Sequence, residues 1–454
     1  MVAANGRTDV ATENRFEINC FHLNRQFSIL NYQLIFLVSL HFFFTDLRMT
    51  YQTHTLSNGL QLIHKPDISS VAYCGMVINT GSRDETENEQ GMAHFIEHML
   101  FKGTKKRRSG HIINRLEHVG GELNAYTSKE ETVVFATVLK EYFERAMELV
   151  ADIVFHSTFP QKEIEKEVVI ILDEIQSYND SPSELIFDDF EELLFAHHPI
   201  GHNILGKPEL LEKYRTEDAV RFVNKHYDPQ KMVFFTLGNL DFKQLIRWAE
   251  KYLQTENTHS DSTERISPVL YRPSTKEINK NTHQVHFMLG NRAYDLYHPN
   301  RMGLYLLNNI LGGPGMNSLL NLSLREKHGL VYNVESSYQP FTDTGLWTVY
   351  FGCDPENVSR CEQLVYSELQ KLRVQLLSEN ALKKYKLQLV GQMAISTEHK
   401  ENLALSLGKS YLRYGKIDDL ETVKQHIDAV TAKQLQTIAN EIFNPEQLSV
   451  LKYV

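Results

Sequence analysis

The sequence is poor in cysteine and carries no excess of positive charge. Its four cysteines, at positions 20, 74, 353 and 361, form no CxxC pair and no spacing typical of a metal site. We therefore expect free thiols in a reducing compartment. The 57 acidic residues outnumber the 47 basic ones, and the net charge of −10 gives no indication of a nucleic-acid partner. We interpret the basic run at residues 105–108 as a solvated loop, although weak steering of acidic substrates stays open.

Long hydrophobic runs are also missing. The apolar stretch at residues 34–44 is too short to span a bilayer comfortably. No basic segment directly precedes it, no small-residue cleavage site follows it, and Asp9, Glu13 and Glu17 argue against a mitochondrial transit peptide. We expect residues 1–48 to be an atypical leader that is disordered or translated from a misassigned start. A membrane anchor is the alternative, and we expect no stable membrane insertion.

The stretch at residues 91–101, G-M-A-H-F-I-E-H-M-L-F, holds an H-x-x-E-H motif. Its apolar residues and its lack of proline predict a helix, which places His94 and His98 one turn apart on one face. Two imidazoles need this geometry to share a metal ion, and Glu97 can reach a water on that ion. H-x-x-E-H is the signature of inverted zincins. The alternative is two ordinary histidines and a glutamate on a partly exposed helix.

A second helix is predicted over residues 160–178. Glu167 and Glu174 are seven residues apart and therefore lie on one face of it. Glu174 is embedded in the run V-V-I-I-L-D-E-I, where a buried carboxylate needs a partner such as a cation. The alternative is that both are ordinary surface glutamates.

A chain of 454 residues exceeds the size of one ordinary core, and two or three domains are expected. We predict a leader at 1–48, a first domain at 49–254, a linker at 255–275 and a second domain at 276–454. The second part repeats the order of predicted elements of the first. Its pattern predicts strand 284–289, helices 302–311 and 317–328, strands 331–338 and 346–351, and helix 357–376. The expected fold class is α+β, with two homologous sandwich-like domains, each a mostly antiparallel sheet packed with helices. The H-x-x-E-H motif has no counterpart in the second domain.

The chain resembles the pitrilysin family of zinc peptidases over about residues 50–454. Four features carry the resemblance: the motif stretch G-M-A-H-F-I-E-H-M-L-F-K-G-T, the stretch G-G-E-L-N-A-Y-T, the helix with two glutamates, and L-R-E-K-H-G-L-V-Y. It is most similar to the half-length branch that includes bacterial processing-type peptidases and the mitochondrial processing peptidase β-subunit. The third zinc ligand of the family falls at Glu174, and a supporting glutamate falls at Glu167.

The resemblance implies one Zn²⁺ per chain, bound by His94, His98 and Glu174, with a coordination position open for water. Glu97 then serves as the general base. An arginine and a tyrosine that stabilise the oxyanion fall at Arg325 and Tyr332. On their own, these two residues would be interpreted as a helix-terminal arginine and a strand tyrosine.

The resemblance also implies how the substrate binds. An extended peptide adds a strand to a sheet edge, which matches Asn124, Ala125 and Tyr126. We therefore expect a zinc endopeptidase acting on peptides or unfolded polypeptide segments. The alternative is a catalytically silent scaffold or partner subunit of a peptidase complex.

The family's closed chamber needs four such domains. We expect a homodimer in which Arg325 and Tyr332 complete the partner's site, with a heterodimer with a homologous subunit as the alternative. The expected location is the bacterial-type cytoplasm, and the leader leaves export or membrane association open.

Overall fold

A computed structural model describes residues 51–255, 264–269 and 271–454. The leader expected at residues 1–48 and much of the linker expected at 255–275 lie outside these ranges. Among the helices of the described ranges, none has the length and apolar character required to cross a membrane.

The first sheet has six strands in the order β1-β2-β6-β3-β5-β4. β2 and β6 pair in parallel, and the other neighbours are antiparallel. β4 lies at one edge, because it pairs with β5 on one side only. The strands are β1 (Gln52–Thr55), β2 (Gln61–Pro66), β3 (Val71–Ile78), β4 (Glu122–Thr127), β5 (Thr132–Leu139) and β6 (Met232–Gly238).

The second sheet has five strands in the order β7-β11-β8-β10-β9 and repeats the topology of the first. β7 and β11 form the parallel pair that corresponds to β2 and β6, and β9 is an edge strand like β4. The two sheets packed with helices confirm the expected α+β class and the internal repeat. The strands are β7 (Thr275–Ile278), β8 (Val285–Ala293), β9 (Val331–Pro340), β10 (Gly345–Cys353) and β11 (Ser449–Tyr453).

The α-helices of the first half run from α1 to α8. They are α1 (Met92–Leu100), α2 (Ser109–Glu117), α3 (Phe143–His156), α4 (Gln161–Asn179), α5 (Pro182–Leu194), α6 (Pro208–Leu211), α7 (Thr216–His226) and α8 (Phe242–Tyr252). Those of the second half run from α9 to α14. They are α9 (Arg301–Gly312), α10 (Val358–Val374), α11 (Glu379–Thr397), α12 (Lys400–Tyr414), α13 (Leu420–Ala429) and α14 (Ala432–Ile442).

One predicted helix, over residues 317–328, is wrong in type and extent. The segment is helical only at residues 319–326, and Asn321–Glu326 is a π-helix. The Lys327 N–H reaches back five residues to the Leu322 carbonyl, which is the wider π-helical step. The segment then leaves the helix through Gly329, whose positive φ of 60° few other residues adopt.

The two halves exchange helices. α5 belongs to the first half in sequence, but its Leu185, Ile186 and Phe190 share a core cluster with Met288 and Leu451 of the second sheet. α12 belongs to the second half, and its leucines pack against Val77, Val233 and Phe235 of the first sheet. At Gly408 of α12 a Cβ would stand 2.5 Å from the Phe235 ring, so only glycine allows this approach. Each sheet is therefore covered in part by the other half of the chain.

A buried charge cluster joins the halves as well. Arg413 of α12 contacts Glu130 at 2.9 Å and Glu131 at 2.5 Å, both in the turn between β4 and β5. Lys409 contacts Glu131 at 2.9 Å. Arg83 contacts Glu130 at 2.6 Å and reaches Asp343 of the second half at 2.7 Å. Burial alone would raise the pKa of Glu131. The pairing of Glu131 with two cations outweighs burial and lowers this pKa to about 2.

Candidate metal centre

α1 brings the H-x-x-E-H residues into the protein interior. All its residues except His98, which is half-buried, are buried. A helix that is apolar around most of its circumference forms because its neighbours cover it. α1 packs between α4 and the edge strand β4, so its polar residues face both elements.

His94, His98 and Glu174 meet between α1 and α4. His94 Nε2 lies 3.7 Å from Glu174 Oε1, and His98 Nε2 lies 3.7 Å from Glu174 Oε2. One donor atom from each residue can be chosen so that all three lie within 4.8 Å of one another. Donors bound to one tetrahedral zinc at ~2.1 Å stand about 3.4 Å apart. The donor set and its spacing therefore fit a zinc ion with small side-chain adjustments.

The surroundings shift the pKa values of the two imidazoles in opposite directions. Burial lowers the pKa of His94 well below its usual value, so its ring is neutral and offers a lone pair. Burial also opposes the charged form of His98, but its hydrogen bond to Glu167 and the neighbouring carboxylates outweigh burial and raise its pKa. His98 Nδ1 lies 3.2 Å from Glu167 Oε2, which directs Nε2 towards Glu174.

The structure adds Lys102 to this set. Its Nζ lies 2.6 Å from Glu167 Oε1, so Glu167 is held between Lys102 and His98. The sequence interpretation missed this lysine. Its position four residues after His98, just beyond the end of the same helix, is the signal that could have identified it.

Glu97 lies on α1 between the two histidines and is buried. Burial is the main cause that raises its pKa, while the neighbouring His98 acts in the opposite direction. A carboxylate whose pKa is shifted towards neutrality can both accept and return a proton. The arrangement therefore supplies a proton-transfer group beside a candidate metal site.

Asn124, Ala125 and Tyr126 lie on β4, the edge strand against which α1 packs. Their partners on β5 are Phe135, Val134 and Val133. The Tyr126 side chain is already engaged, because Lys409 Nζ stands 4.7 Å from its ring centroid.

Arg325 and Tyr332 lie apart from this set. Arg325 belongs to the π-helix of the second half, where its Nε is 4.0 Å from Glu326 Oε1. It lines a cavity of about 230 Å³ formed by residues of the second half alone. Tyr332, at the start of β9, is 86% exposed. Within the described residues, no ion pair or hydrogen bond connects either residue to the histidines.

The basic run at residues 105–108 is only partly a solvated loop. Lys105, Lys106 and Arg108 are exposed as expected. Arg107 instead pairs with Glu148 at 2.8 Å and with Asp152 at 2.5 Å. These contacts hold the loop that follows α1. Of the four basic residues, only Arg107 makes them among the described ion pairs.

Comparisons with known proteins show which family the chain resembles. Residues 62–208 match the family Insulinase (Peptidase family M16), and residues 214–389 match the family Peptidase M16 inactive domain. The chain is 30% identical to the uncharacterized zinc protease YmxG of Bacillus subtilis, over 87% of this chain and 96% of that protein. It is 29% identical to the mitochondrial-processing peptidase subunit beta of Bos taurus, over 85% of this chain and 80% of that protein.

Solved structures show the same fold. A protease from Helicobacter pylori superposes with a TM-score of 0.82 at 20% identity, over 90% of this chain and all of that chain. A protein from Pseudomonas fluorescens, described as a peptidase M16 inactive domain, superposes with a TM-score of 0.81 at 20% identity, over 89% of this chain and 97% of that chain. Together with the sequence matches, these likenesses confirm the resemblance that the motifs indicated. The chain belongs to peptidase family M16, the insulinase family.

Proposed function

We propose that this chain is a zinc-dependent endopeptidase that hydrolyses peptides or unfolded polypeptide segments. The observation that carries the proposal is the convergence of His94, His98 and Glu174, with both imidazole Nε2 atoms 3.7 Å from the carboxylate. Relatives named zinc proteases support the same assignment.

His94, His98 and Glu174 would hold one zinc ion. When bound, zinc supplies a Lewis acid and lowers the pKa of a coordinated water to about 7. Glu97 would accept a proton from the attacking water on its carboxylate and return it to the nitrogen of the leaving amine. Glu167, steadied by Lys102 at 2.6 Å, would keep the His98 ring oriented throughout.

The edge of β4 at Asn124–Tyr126 would bind the substrate as an added strand. Main-chain hydrogen bonds provide most of the affinity in this mode, and they read an extended backbone rather than a strict sequence. We expect broad specificity for extended chains and little activity on folded proteins.

Arg325 and Tyr332 would act in trans. Among the described residues, no ion pair or hydrogen bond links either residue to the histidines of its own chain, and Tyr332 is 86% exposed, so its side chain is accessible to a partner. The proposed assembly is a homodimer of chains with two domains, at 49–254 and 276–454. A heterodimer is the second possibility, because one relative is named as the beta subunit of a peptidase. A monodisperse and fully active monomer would contradict both.

The second candidate function is a catalytically silent partner subunit. The name of the matching family "Peptidase M16 inactive domain" favours it for the second half of the chain. The complete donor set on α1 and α4 favours the enzyme for the whole. We place the protein in the cytoplasm, because the buried free thiols of Cys74, Cys353 and Cys361 suit a reducing compartment.

The test compares the parent with Glu97→Gln in cleavage of a quenched fluorescent peptide, with zinc content measured on the same samples. We expect zinc in both proteins and a loss of turnover by roughly 10²–10⁴-fold in the variant. A chelator should stop the parent, and added zinc should restore it. Unchanged turnover in Glu97→Gln, or turnover without zinc, would leave the silent-subunit function as the better account.

A further inference from the structure

The loop before α1 folds back so that a buried carboxylate meets the start of that helix. Glu85 is 2% exposed. Its Oε2 accepts a hydrogen bond from the Gly91 N–H at 2.9 Å, and its Oε1 accepts one from the Ala93 N–H at 2.8 Å. The first turn of a helix has N–H groups without partners inside the helix. One side chain satisfies two of them here, and His94 follows directly after Ala93.

Two further contacts hold the same turn. Gly91 has a φ of 93°, and a Cβ at this position would stand 2.8 Å from the Gly206 Cα. The Tyr214 hydroxyl donates to the Gln90 carbonyl at 2.9 Å. These contacts hold the start of α1 against the residues on both sides of α6. Glu85 differs from these contacts because its side chain accepts two hydrogen bonds from the start of α1. Two such bonds restrict both the rotation of α1 and the position of α1 along its axis.

Among the described residues, no ion pair stabilises the buried carboxyl group of Glu85. Lys129 lowers the pKa of Glu85 slightly against the effect of burial, but its Nζ pairs with Glu191 Oε2 at 2.9 Å. Burial raises the pKa of Glu85 well above its usual value, and the two backbone hydrogen bonds only partly offset this effect. A buried carboxyl group in such a place is costly to folding. Among the described residues, the two N–H groups at the start of α1 are its direct hydrogen-bond partners.

We propose that Glu85 is a positioning residue of the metal centre, holding the first turn of α1 so that His94 and His98 meet Glu174 of α4. The inference rests on the proposed function and extends it to a residue nine positions before His94, the nearer histidine, whose side chain has no hydrogen bond to either imidazole among the described residues. α4 is a separate element, so a shift of α1 changes the distance between the imidazoles and the Glu174 carboxylate.

The test measures metal affinity and ligand geometry in Glu85→Gln. The amide has the shape of the carboxylate, but its NH₂ group faces one of the two N–H donors, so one hydrogen bond is lost. We expect the dissociation constant for zinc, from competition with a chelator, to rise about tenfold. We also expect the visible absorption bands of the cobalt-substituted protein to change in position or intensity.

The matched control is Glu89→Gln in the same loop. The Glu89 carboxylate accepts from the Thr86 N–H and hydroxyl and lies 3.7 Å from Lys225, so it does not bond α1. We expect zinc affinity and the cobalt spectrum of this variant to match the parent. Thermal unfolding of the metal-free proteins separates a positioning role from a purely structural one. If Glu85 were purely structural, Glu85→Gln would lower the midpoint of thermal unfolding and leave metal affinity unchanged.

Three outcomes would overturn the inference. Parent-like zinc affinity and cobalt spectrum in a folded Glu85→Gln would remove the positioning role and leave the proposed function standing. If Glu85→Gln does not fold, Glu85→Asp decides, since it keeps the charge with a shorter reach, and parent-like metal affinity there would count against the inference. A parent that binds neither zinc nor cobalt would overturn the proposed function and this inference together.

Discussion

The two halves of this molecule share one topology and differ in the polar groups they place on it. In the first half, α1 and α4 bring two imidazoles and a carboxylate together beside the edge strand β4. In the second half, α9 packs against the edge strand β9 and against α11. There the side chains are carboxamides, with Asn309 Nδ2 donating to Gln392 Oε1 at 3.0 Å. Carboxamides are not zinc ligands, so the donor set rather than the fold distinguishes the half that we propose to bind zinc from the other half.

The two halves also differ in the surroundings of one acidic residue in each, the buried Glu131 and the partly buried Glu335. Glu131 of the first half is paired with two cations, and its pKa is about 2. Glu335 lines the cavity of the second half, and desolvation raises its pKa to about 7. One carboxyl is held charged by its partners, and the other is pushed towards its neutral form by desolvation.

The largest effect on stability should come from breaking the charge cluster that joins the halves. Arg413→Met leaves Glu130 and Glu131 buried with fewer cations, and removal of one partner from such a network costs about 3–5 kcal/mol. Urea unfolding should show this loss, and a decrease below 1 kcal/mol would contradict it. The control is Arg221→Met, whose exposed pair with Asp218 should change stability by less than about 1 kcal/mol.

A pH series should separate the two acids. Because the folded protein raises the pKa of Glu335, its contribution to stability falls as pH rises from about 4.5 through 7, by up to about 3 kcal/mol. Glu335→Gln removes the titrating group. The stability of the variant relative to the parent should therefore be greater at pH 8 than at pH 5. Urea unfolding of both proteins at the two pH values measures it. A difference between parent and variant that does not depend on pH would exclude the shift.

The Glu131 contribution has the opposite sign. Its lowered pKa stabilises the fold above about 4.5, and this stabilisation is lost only as pH falls towards about 2. Between pH 5 and pH 8, therefore, it should be constant and should not interfere with the comparison of Glu335→Gln with the parent.

The smallest expected effect is on zinc affinity, and it should come from a change at Glu167, the residue that contacts His98. Glu167→Gln weakens the acceptor that lies 3.2 Å from His98 Nδ1, and we expect zinc affinity to fall about tenfold with the fold intact. Glu163→Gln is the control on the same helix, because Glu163 pairs with Lys166 and stands away from the histidines. Equal zinc affinity in both variants would show that Glu167 does not tune the site.

The sequence indicated those features that depend on neighbours in the chain. The period of α1 placed His94 and His98 on one face, and the apolar surroundings of Glu174 marked it as a carboxylate in need of a cation. The sheet classes followed from alternation and from the order of elements. Apart from the order of the elements, these signals are local, because each depends on residues within one helix or one strand.

The remaining features depend on contacts that no local pattern records. Arg413 lies 282 residues from Glu131, and the exchange of α5 and α12 between the sheets also joins residues that are far apart in the chain. The two hydrogen bonds of Glu85 require a loop that reverses direction before α1. The π-helix at Asn321–Glu326 has the composition of an ordinary helix, so periodicity alone predicted the wrong type.

The most direct test of the account is the zinc content of the purified chain and of two carboxyl–carboxamide exchanges, one in each half. Glu174→Gln gives the first half the chemistry of Gln392, and Gln392→Glu gives the second half a carboxylate. We expect one zinc per chain in the parent and in Gln392→Glu, and almost none in Glu174→Gln. Zinc retained at one per chain in Glu174→Gln would contradict the assignment of the site to His94, His98 and Glu174.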